Sequence, residues 1–306
     1  MRGQREHIQI PAGHSFRVLR WEQSLHDVEC VVTPGRAVKI ASEGTHWHFH
    51  IEMELTLFTQ GEGTRFVGDD IGSFAAGDLV LLGENLPHYW HTKGRSSGIS
   101  VQWHFPESHP FWAFPENFGL ADLFKLANRG LHISGRTAIE VTALLQQLTR
   151  GIGAEQLASL LRTLARLAAA PGSDRRLISA RSFALSAGSL HQDAMAKAVR
   201  YLIANFREAV RLEALLLLTG MSRATFARQF KKHSGRTFSE FLNRLRLQAA
   251  CRELDKSERS ILDIALASGF TQVSFFNRIF RRLMRSSPSA YRAKCRRKNR
   301  RNGQIR

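Results

Sequence analysis

Two histidines and a glutamate lie close together in the first third of the chain. His48 and His50 are separated by one residue, and Glu54 follows four residues later. Alternation along a strand would place both imidazoles on the same face and direct them into one interior. Imidazole and carboxylate ligands suit Zn, Fe, Mn or Ni, so metal binding is the first chemistry that these residues indicate.

Aromatic and polar side chains surround this segment. His46 and Trp47 precede it, and Trp90 and His91 follow in a second apolar segment. Aromatic rings beside polar groups are typical of a site for a sugar or another polyol. The alternative is that these groups hydrogen-bond a different polar ligand, or only fill the mouth of the interior.

The positive charge of the chain lies in its last third. Residues 191–306 hold 26 Lys and Arg against 8 Asp and Glu, a net charge of +18 that equals the charge of the whole chain. Residues 1–190 are therefore neutral. Because phosphates release counterions when they are neutralised, we predict double-stranded DNA as the partner of the cationic region.

Two helix-turn-helix patterns follow one another in that region. In the first, Gly220 suits a left-handed turn and Ser222 an N-cap. In the second, Gly269 and Phe270 make the turn and Thr271 caps the next helix. Three pairs of residues recur 50 positions apart: Phe226 and Phe276, Arg228 and Arg278, Phe230 and Phe280. A duplication with one fixed period is hard to explain by chance.

At these residues the chain resembles the AraC/XylS family of bacterial transcription regulators. The resemblance runs from Ala194 to Arg292 and includes Phe276-Asn-Arg-Ile-Phe280 and Ser287-Pro-Ser-Ala-Tyr291. It implies two helix-turn-helix units joined by a long helix near Thr237–Leu254. It also implies that the two recognition helices enter the major groove about one helical turn apart.

The resemblance assigns base-reading positions on both recognition helices: Ala224, Ala227, Arg228, Val273, Ser274, Asn277 and Arg278. Arginine can donate two hydrogen bonds to guanine, asparagine can read adenine, and the apolar positions can contact thymine methyls. The predicted phosphate contacts are Arg223, Lys231, Lys232, Arg281 and Arg282. The alternative is that these charges form a solvated helix face. The second unit has the small residue Ala265 where the helices cross, whereas the first unit has Leu216 there. Either the register of the first unit is shifted by one residue, or the unit is slightly splayed with Leu216 in its core, which is the arrangement that we expect.

Residues 43–103 are rich in short alternating apolar runs broken by glycine, which indicates an antiparallel sandwich or barrel. The segment resembles the cupin family. The matching residues are His48, His50, Glu54 and Gly61 of the first motif and Gly77, Asp78, Pro87 and His88 of the second. Gly83 replaces the usual proline of the second motif, so the match there is partial. A cupin-like sensor with this DNA-binding region is the architecture of sugar-responsive members of the AraC/XylS family.

The predicted effector pocket consists of His46, His48, His50, Glu54, His88 and Trp90. Four of them could hold a divalent metal: His48, His50, Glu54 and His88. We predict no other cofactor and no catalytic residue. The competing hypothesis is a metal-dependent cupin enzyme, such as an isomerase or dioxygenase, with a nucleic-acid-binding appendage.

A helical pattern with two leucine-rich stripes follows at residues 137–170. In the family such helices pair subunits, but they could equally pack on their own barrel. Small and polar residues then predict a linker at 171–190. The tail at 293–306 is predicted to be a disordered basic extension that adds phosphate affinity.

The predicted fold is therefore a multidomain β + α chain. Residues 1–136 form a cupin-like effector-sensing barrel, followed by the helix pair and linker, and residues 191–292 form an all-α tandem helix-turn-helix domain. The predicted function is a transcription regulator, an activator by family resemblance, that responds to a small polar ligand such as a carbohydrate. Candidate partners are RNA polymerase and a second copy of the chain. No apolar run predicts a membrane span or signal peptide, and three scattered cysteines fit reduced thiols, so we expect a cytoplasmic bacterial protein.

Overall fold

The regular elements between Phe16 and Trp103 are strands, and those beyond Leu177 are helices. The computed structural model describes residues 8–33, 35–41, 44–183, 185 and 191–303. The chain divides into two compact units between Ala196 and Lys197. The strands are β1 Phe16–Trp21, β2 Asp27–Thr33, β3 Arg36–Ala41, β4 Met53–Gln60, β5 Gly63–Val67, β6 Asp70–Phe74, β7 Leu79–Leu82, β8 His88–Thr92, β9 Ser97–Trp103, β10 Leu131–Ile133 and β11 Arg175–Leu177.

The strands form two antiparallel sheets. The large sheet has the order β11-β10-β7-β4-β9-β1-β2-β3, and the small sheet has the order β6-β5-β8. Alternation along β4 divides the large sheet into two faces: Met53, Leu55 and Leu57 join an apolar cluster with helices, whereas Glu54 and Thr56 line a cavity on the other face. A second apolar cluster combines residues of both sheets, so the cavity lies between them.

Helices cover the first face of the large sheet. They are α1 Leu120–Ala127, α2 Gly135–Leu148 and α3 Ala154–Ala168. The predicted leucine stripes are used within the chain, because Val141, Leu145, Leu160 and Leu164 are fully buried in the cluster that includes the sheet. Packing within the same unit therefore explains why both stripes are apolar. Ile139 and Leu157 are the exposed large apolar residues of the described part of α2 and α3.

The first part of the predicted linker belongs to the sheet. β11 pairs with β10, and Ile178 beyond it is buried in the cluster between the sheets. The carboxylate of Asp69 accepts hydrogen bonds from the Ser179 hydroxyl and the Ala180 amide, at 2.9 and 2.8 Å. A three-residue strand is too short to give a periodic signal in the sequence. Residues 184 and 186–190 of the linker lie outside the described residues.

The second part of the chain is helical. Its helices are α4 Gln192–Asn205, α5 Leu212–Thr219, α6 Arg223–Ser234, α7 Phe238–Lys256, α8 Ile261–Ala267, α9 Val273–Met284 and α10 Pro288–Gly303. The predicted connecting helix is α7, and a capping box between Thr237 and Glu240 fixes its first turn. Helices α6 and α8 both contact α7, so it joins the two helix-turn-helix units.

Two details differ from the sequence prediction. Ala265 is fully buried in the second unit, and the residue 50 positions before it, Leu215, is fully buried in the first. Leu215 and not Leu216 therefore occupies the buried position of α5, so the register is shifted by one residue from the expected one. Helix α9 begins after Gln272, so Thr271 is not its N-cap. The turn before α9 needs its glycine: Gly269 has a φ of +90°, and a side chain there would meet the Phe206 carbonyl oxygen at 2.7 Å.

The C-terminal tail also differs from its prediction, because α10 continues to Gly303 instead of ending near Arg292. No proline or glycine interrupts residues 289–302, and arginine, lysine and alanine favour helix there. Side chains beyond Arg297 lie outside the described residues.

Among the described residues, no helix is long and apolar enough to cross a bilayer. The predicted class, an antiparallel β unit with a helix pair followed by an all-α unit, is confirmed.

A buried ion pair joins the two sheets. Arg65 Nη1 of β5 lies 2.6 Å from Asp78 Oδ1 before β7, and His132 Nε2 of β10 lies 3.3 Å from the same oxygen. Burial alone would raise the pKa of Asp78, but the His132 hydrogen bond and the Arg65 charge outweigh it and lower the pKa below its ordinary value. This stabilisation is present above the unfolded-state pKa of about 3.9 and is lost as the pH falls through the lower folded-state pKa.

We expect Asp78→Asn to reduce the stability of the first unit by about 3 kcal/mol at pH 7, because Arg65 then stays buried without its counter-ion. The loss should shrink as the pH falls from about 4 through the lower folded-state pKa of Asp78, where the folded wild type loses the same charge. Urea unfolding followed by tryptophan fluorescence measures this, since all five tryptophans lie before residue 113. The exposed Asp27→Asn is the control; an equal loss in both variants would contradict the role of the buried pair.

Candidate functional sites: a DNA-reading surface and a buried histidine cluster

The predicted base-reading residues lie on the two equivalent helices α6 and α9. Five of them are exposed: Ala224, Ala227, Arg228, Ser274 and Arg278. Val273 and Asn277 are partly buried. The Ser222 hydroxyl accepts a hydrogen bond from the Thr225 amide and so caps α6. Each helix thus presents its first two turns, with one exposed arginine at the equivalent position, to a partner outside the unit.

Aromatic packing behind these helices repeats the duplication in three dimensions. The Phe226 and Phe230 ring centroids lie 5.3 Å apart, and those of Phe276 and Phe280 lie 5.5 Å apart. Phe230 meets Phe241 edge to face at 5.5 Å, and Phe280 meets Tyr291 edge to face at 5.6 Å. Phe241 and Tyr291 are thus equivalent positions, 50 residues apart, which the sequence patterns had not indicated. The ring distances are therefore similar in the two units, although the Phe226 and Phe230 rings are stacked and those of Phe276 and Phe280 meet edge to face.

The two arginines differ in their immediate surroundings. The Arg278 guanidinium lies 5.2 Å from the centroid of the Phe275 ring, a cation–π contact that restrains it. Thr225 occupies the position equivalent to Phe275, so Arg228 has no aromatic ring at that position of its helix. The predicted phosphate contacts are all exposed: Arg223, Lys231, Lys232, Arg281 and Arg282. Arg223 also forms an exposed ion pair with Glu213 at 3.0 Å, which screening by water makes weak.

The predicted histidines of the first unit meet in the interior. His48 pairs with His88 as an isolated bridge between strands, and His48, His50 and His88 are all buried. Their side-chain nitrogens include one atom from each ring that lies within 4.8 Å of the others. The ring centroids of His48 and His88 are 4.2 Å apart, and those of His50 and His88 are 4.9 Å apart.

Backbone carbonyls orient each of these rings. The Nδ1 atoms of His48, His50 and His88 lie 2.7, 2.9 and 2.8 Å from the carbonyl oxygens of His46, Glu52 and Leu86. A carbonyl can only accept a hydrogen bond, so Nδ1 carries the proton in each neutral ring and Nε2 keeps its lone pair. Burial lowers the pKa of His48 well below its ordinary value, and the neighbouring His88 and His50 lower it further, so His48 is neutral.

Glu54 completes the cluster. Its Oε2 lies 3.2 Å from His50 Nε2 and 3.7 Å from His88 Nε2. Burial alone would raise the pKa of Glu54, but its contacts with His50 and His88 outweigh burial and hold the pKa well below its ordinary value. The carboxyl group is therefore ionised. When His50 is neutral, two acceptor atoms face one another at 3.2 Å, and a shared proton or a cation would remove that conflict.

A cavity of about 50 Å³ opens beside the cluster. Its walls include four of the predicted pocket residues: His48, Glu54, His88 and Trp90. The sequence patterns did not predict the remaining walls, which are Leu19, Trp21, Leu25, Val28, Gly44, Thr56, Phe58, Ser100 and Gln102. Alternation along β4 could have indicated Thr56 and Phe58, but the residues from β1, β2 and β9 depend on strand register. His50 belongs to the cluster without lining the cavity.

The other residues that crowd this part of the sequence are placed differently. The carbonyl of His46 orients His48, but its side chain does not line the cavity. Trp47 lies with its ring centroid 6.3 Å from that of Phe66, away from the cavity walls. His91 is exposed. Of the predicted pocket, His46 is therefore a support for His48 rather than a wall.

The residues present fit a divalent metal ion. One nitrogen of each of the three rings lies within 4.8 Å of the others, and Glu54 Oε2 lies beside those of His50 and His88. The second nitrogen of each histidine is held by a carbonyl, which is the arrangement that fixes metal-binding tautomers. His88 Nε2 is buried and accepts no hydrogen bond from any residue that the structure describes. His48, His50, His88 and Glu54 would hold the ion. A bound ion would act as a Lewis acid toward an oxygen atom of a ligand.

The C-terminal unit matches a known protein domain. Residues 215–294 match the family model described as a helix-turn-helix domain. The chain is 37% identical over 102 residues to the regulatory protein PocR of Salmonella typhimurium, a match covering 33% of this chain and 34% of PocR. The match thus spans about a third of that relative's length.

Longer matches include the first unit. The HTH-type transcriptional activator RhaS of Salmonella schwarzengrund is 26% identical over 249 residues, covering 79% of this chain and 85% of RhaS. RhaS of Pectobacterium carotovorum is 26% identical over 258 residues, covering 80% of this chain and 86% of RhaS.

Solved structures show similarity to the C-terminal unit. The DNA-binding domain of AdpA in complex with a target DNA is 32% identical, with a TM-score of 0.33, and the match covers 34% of this chain and 95% of that domain. An AraC-type regulator from Chromobacterium violaceum is 30% identical, with a TM-score of 0.32, and the match covers 34% and 93%. The duplicated helix-turn-helix units, the family-model match and the sequence matches to PocR and RhaS together show that the C-terminal unit is an AraC-type helix-turn-helix domain of the kind found in DNA-binding transcription regulators.

Proposed function

We propose that α6 and α9 read one operator and that the cavity of the first unit binds the effector that controls this activity. The observation that carries the proposal is the pair of equivalent helices on the cationic unit, each with an exposed arginine, Arg228 or Arg278, at the same position. Each guanidinium would donate two hydrogen bonds to a guanine, and Asn277 would read an adenine. Stacking on Phe275 pre-orients Arg278, so it loses less side-chain freedom on binding than Arg228.

The five phosphate-contact residues would fix the register of α6 and α9 on the duplex without reading sequence. The small side chains of Ala224 and Ala227 would let α6 approach the groove closely. Val273 and Ser274 would contact base edges beside Arg278. A DNA-binding regulator acts where the chromosome lies, which supports the predicted cytoplasmic location. RhaS is named an activator, and on that likeness we propose activation through contact with RNA polymerase.

The effector would be a small molecule in the cavity between the sheets. His88 Nε2 and Trp90 Nε1 are buried there without a hydrogen-bond partner among the described residues, so the first can accept a hydrogen bond from a ligand and the second can donate one. A carbohydrate stays our prediction for its chemical class.

A cavity of about 50 Å³ holds only a few waters, whereas about 150 Å³ is needed for benzene. A larger effector must therefore widen the cavity, whose walls include the turn residues Leu25 and Gly44.

We also propose that a divalent cation occupies the histidine cluster, because three oriented imidazoles and an ionised carboxylate converge there. The cavity then gives that cation room for water or for an effector oxygen. The role we propose for the barrel is regulation, since PocR and RhaS are named as regulators. A metal-dependent cupin enzyme is the competing hypothesis, and turnover of a candidate substrate by the purified protein would favour it.

A homodimer is part of the proposal. The apolar stripes of α2 and α3 are used within the unit, so a second copy would contact the opposite side of this pair. Ile139 is 73% exposed there, and Leu144, Ala165 and Ala169 line a groove between the helices. Sedimentation of the wild type and Ile139→Glu tests this; equal monomeric mass for both would exclude the interface.

Arg228→Ala and Arg278→Ala should each lose about 1–3 kcal/mol of operator binding and relax base preference, because a bidentate contact to guanine is removed. Footprinting and binding to substituted operators measure both effects. The altered base pairs should lie about one helical turn apart. If both variants alter the same base pair, the tandem reading geometry is wrong.

Lys232→Ala is the matched comparison on the same helix. Loss of a phosphate contact should weaken binding to all sequences alike and reduce the dependence of affinity on salt by about one counterion. A change in base preference in this variant would show that Lys232 reads sequence instead.

Trp90→Ala and His50→Ala should abolish the effector response and leave basal DNA binding intact, because the cavity wall and the cluster lie in the other unit. Calorimetry with a panel of sugars and a reporter gene gives the two measurements. A coupling of about 1–3 kcal/mol between effector and operator is sufficient for a useful switch. If both variants bind and respond like the wild type, the effector lies elsewhere.

Adding Zn²⁺, Mn²⁺ or Ni²⁺ to the full chain should raise the melting temperature of the first unit, and a chelator should reverse it, because a ligand that binds only the folded state stabilises it. At 100 times the Kd the stabilisation is about 2.7 kcal/mol. His88→Ala should remove the effect and the exposed His26→Ala should keep it. An unchanged response in His88→Ala would show that metal binds elsewhere.

A further inference from the structure

A buried row of three polar residues leads to the histidine cluster from the neighbouring strands. Arg17 of β1 pairs with Gln102 of β9, and Gln102 pairs with Glu54 of β4. Their exposed fractions are only 2%, 4% and 6%. A guanidinium at this depth is costly unless it is hydrogen-bonded and its charge is compensated. Packing alone therefore does not explain why an arginine occupies position 17.

The hydrogen bonds of this row have a fixed direction. Arg17 Nε donates to Gln102 Oε1 at 2.6 Å, and Gln102 Nε2 donates to Glu54 Oε2 at 2.6 Å. Arginine has donors and no acceptor, so the amide oxygen must face Arg17 and the amide NH₂ must face Glu54. The reversed amide would set donor against donor at one end and acceptor against acceptor at the other.

Both oxygens of Glu54 are thereby oriented. Oε1 accepts a hydrogen bond from the Thr56 hydroxyl, whose oxygen lies 2.9 Å from the Ser100 hydroxyl and accepts the proton of Ser100 in turn. Oε2 accepts from Gln102 and lies beside the Nε2 atoms of His50 and His88. The carboxylate thus has a single orientation, with one oxygen directed at the cluster.

We propose that Arg17 and Gln102 are positioning residues, which hold Glu54 Oε2 as an acceptor beside the histidine lone pairs. The cluster consequently presents acceptor atoms, so its occupant is a divalent cation or a group that donates hydrogen bonds, and an uncoordinated anion is disfavoured. This inference rests on the cation site proposed above. It adds that the affinity and ligand geometry of the site depend on two residues that do not touch the occupant.

Titration of the metal-free full chain with Co²⁺ tests the role of Gln102, with calorimetry for affinity and visible absorption for ligand geometry. Gln102→Leu should weaken Co²⁺ binding 10- to 100-fold and shift the visible bands, as expected when a residue that supports a metal ligand is lost. Gln156→Leu is the matched control, because Gln156 is also buried and its side chain donates to the Leu148 carbonyl in the helix pair. The control should keep the wild-type affinity and spectrum whatever its melting temperature.

Arg17 provides a second test that does not depend on the folding of Gln102→Leu. Arg17→Met should weaken Co²⁺ binding, whereas Arg17→Lys, which still offers only donors to Gln102 Oε1, should restore most of the affinity and the spectrum. Wild-type affinity and an unchanged spectrum in Gln102→Leu and Arg17→Met would overturn the inference, as would equal losses in Gln156→Leu.

The controls separate this inference from the proposals on which it depends. If the wild type binds no Co²⁺, the cation site is absent and the inference fails with it, while operator binding by α6 and α9 still stands. If the wild type binds Co²⁺ and all the variants bind equally well, the cation site stands and only the positioning role fails. Operator affinity, measured in parallel, should be the same for all these proteins without effector.

Discussion

Burial of the large sheet on both faces is the constraint on which the rest of the first unit depends. One face of β4 and β9 packs against α1–α3 and is apolar. The other face meets the small sheet, so the polar residues that point there are removed from water. Buried polar groups need partners. The row Arg17–Gln102–Glu54 and the pair Thr56–Ser100 supply them, and His88 Nε2 and Trp90 Nε1 are left for a ligand. An apolar face would stabilise the fold equally well, so the polar row is best explained by binding.

The sequence indicated the centre of this site but not its surroundings. His48, His50 and Glu54 are close in the chain, and the partial second motif pointed to His88, so local spacing was sufficient. Arg17 and Gln102 reach the site only through the register of β1, β9 and β4, which no local pattern specifies. Two-sided burial also hides alternation, because a strand such as β4 is buried at both odd and even positions. The short β11 was missed for a related reason, since its identity depends on pairing with β10.

The C-terminal unit was far more predictable, because its signals are local. Gly220 occupies the left-handed position and Ser222 caps α6, both as expected from residue type alone. The errors of one residue at Leu215 and at the start of α9 concern positions where several adjacent residues satisfy the same pattern. Four leucines in succession define a helix but not which of them faces inward; packing decides that Leu215 is buried and leaves Leu217 87% exposed. Helices α6 and α9 also differ at one pair of equivalent positions, Thr225 and Phe275. The sequence shows this difference, but only the structure shows that the Phe275 ring contacts Arg278.

Charge separates the DNA-binding unit from the proposed sensor. All of the net charge lies in residues 191–306, so the field that attracts DNA arises from the unit that reads it. The first unit is neutral overall and its cluster presents lone pairs and a carboxylate, an environment that disfavours phosphate. A nucleic acid therefore does not compete for the cavity, and a small neutral or cationic occupant does not compete for the recognition helices. Regulation then requires only that the occupied and empty sensor differ in free energy between two states of the whole chain, since a ligand that binds both states equally shifts neither.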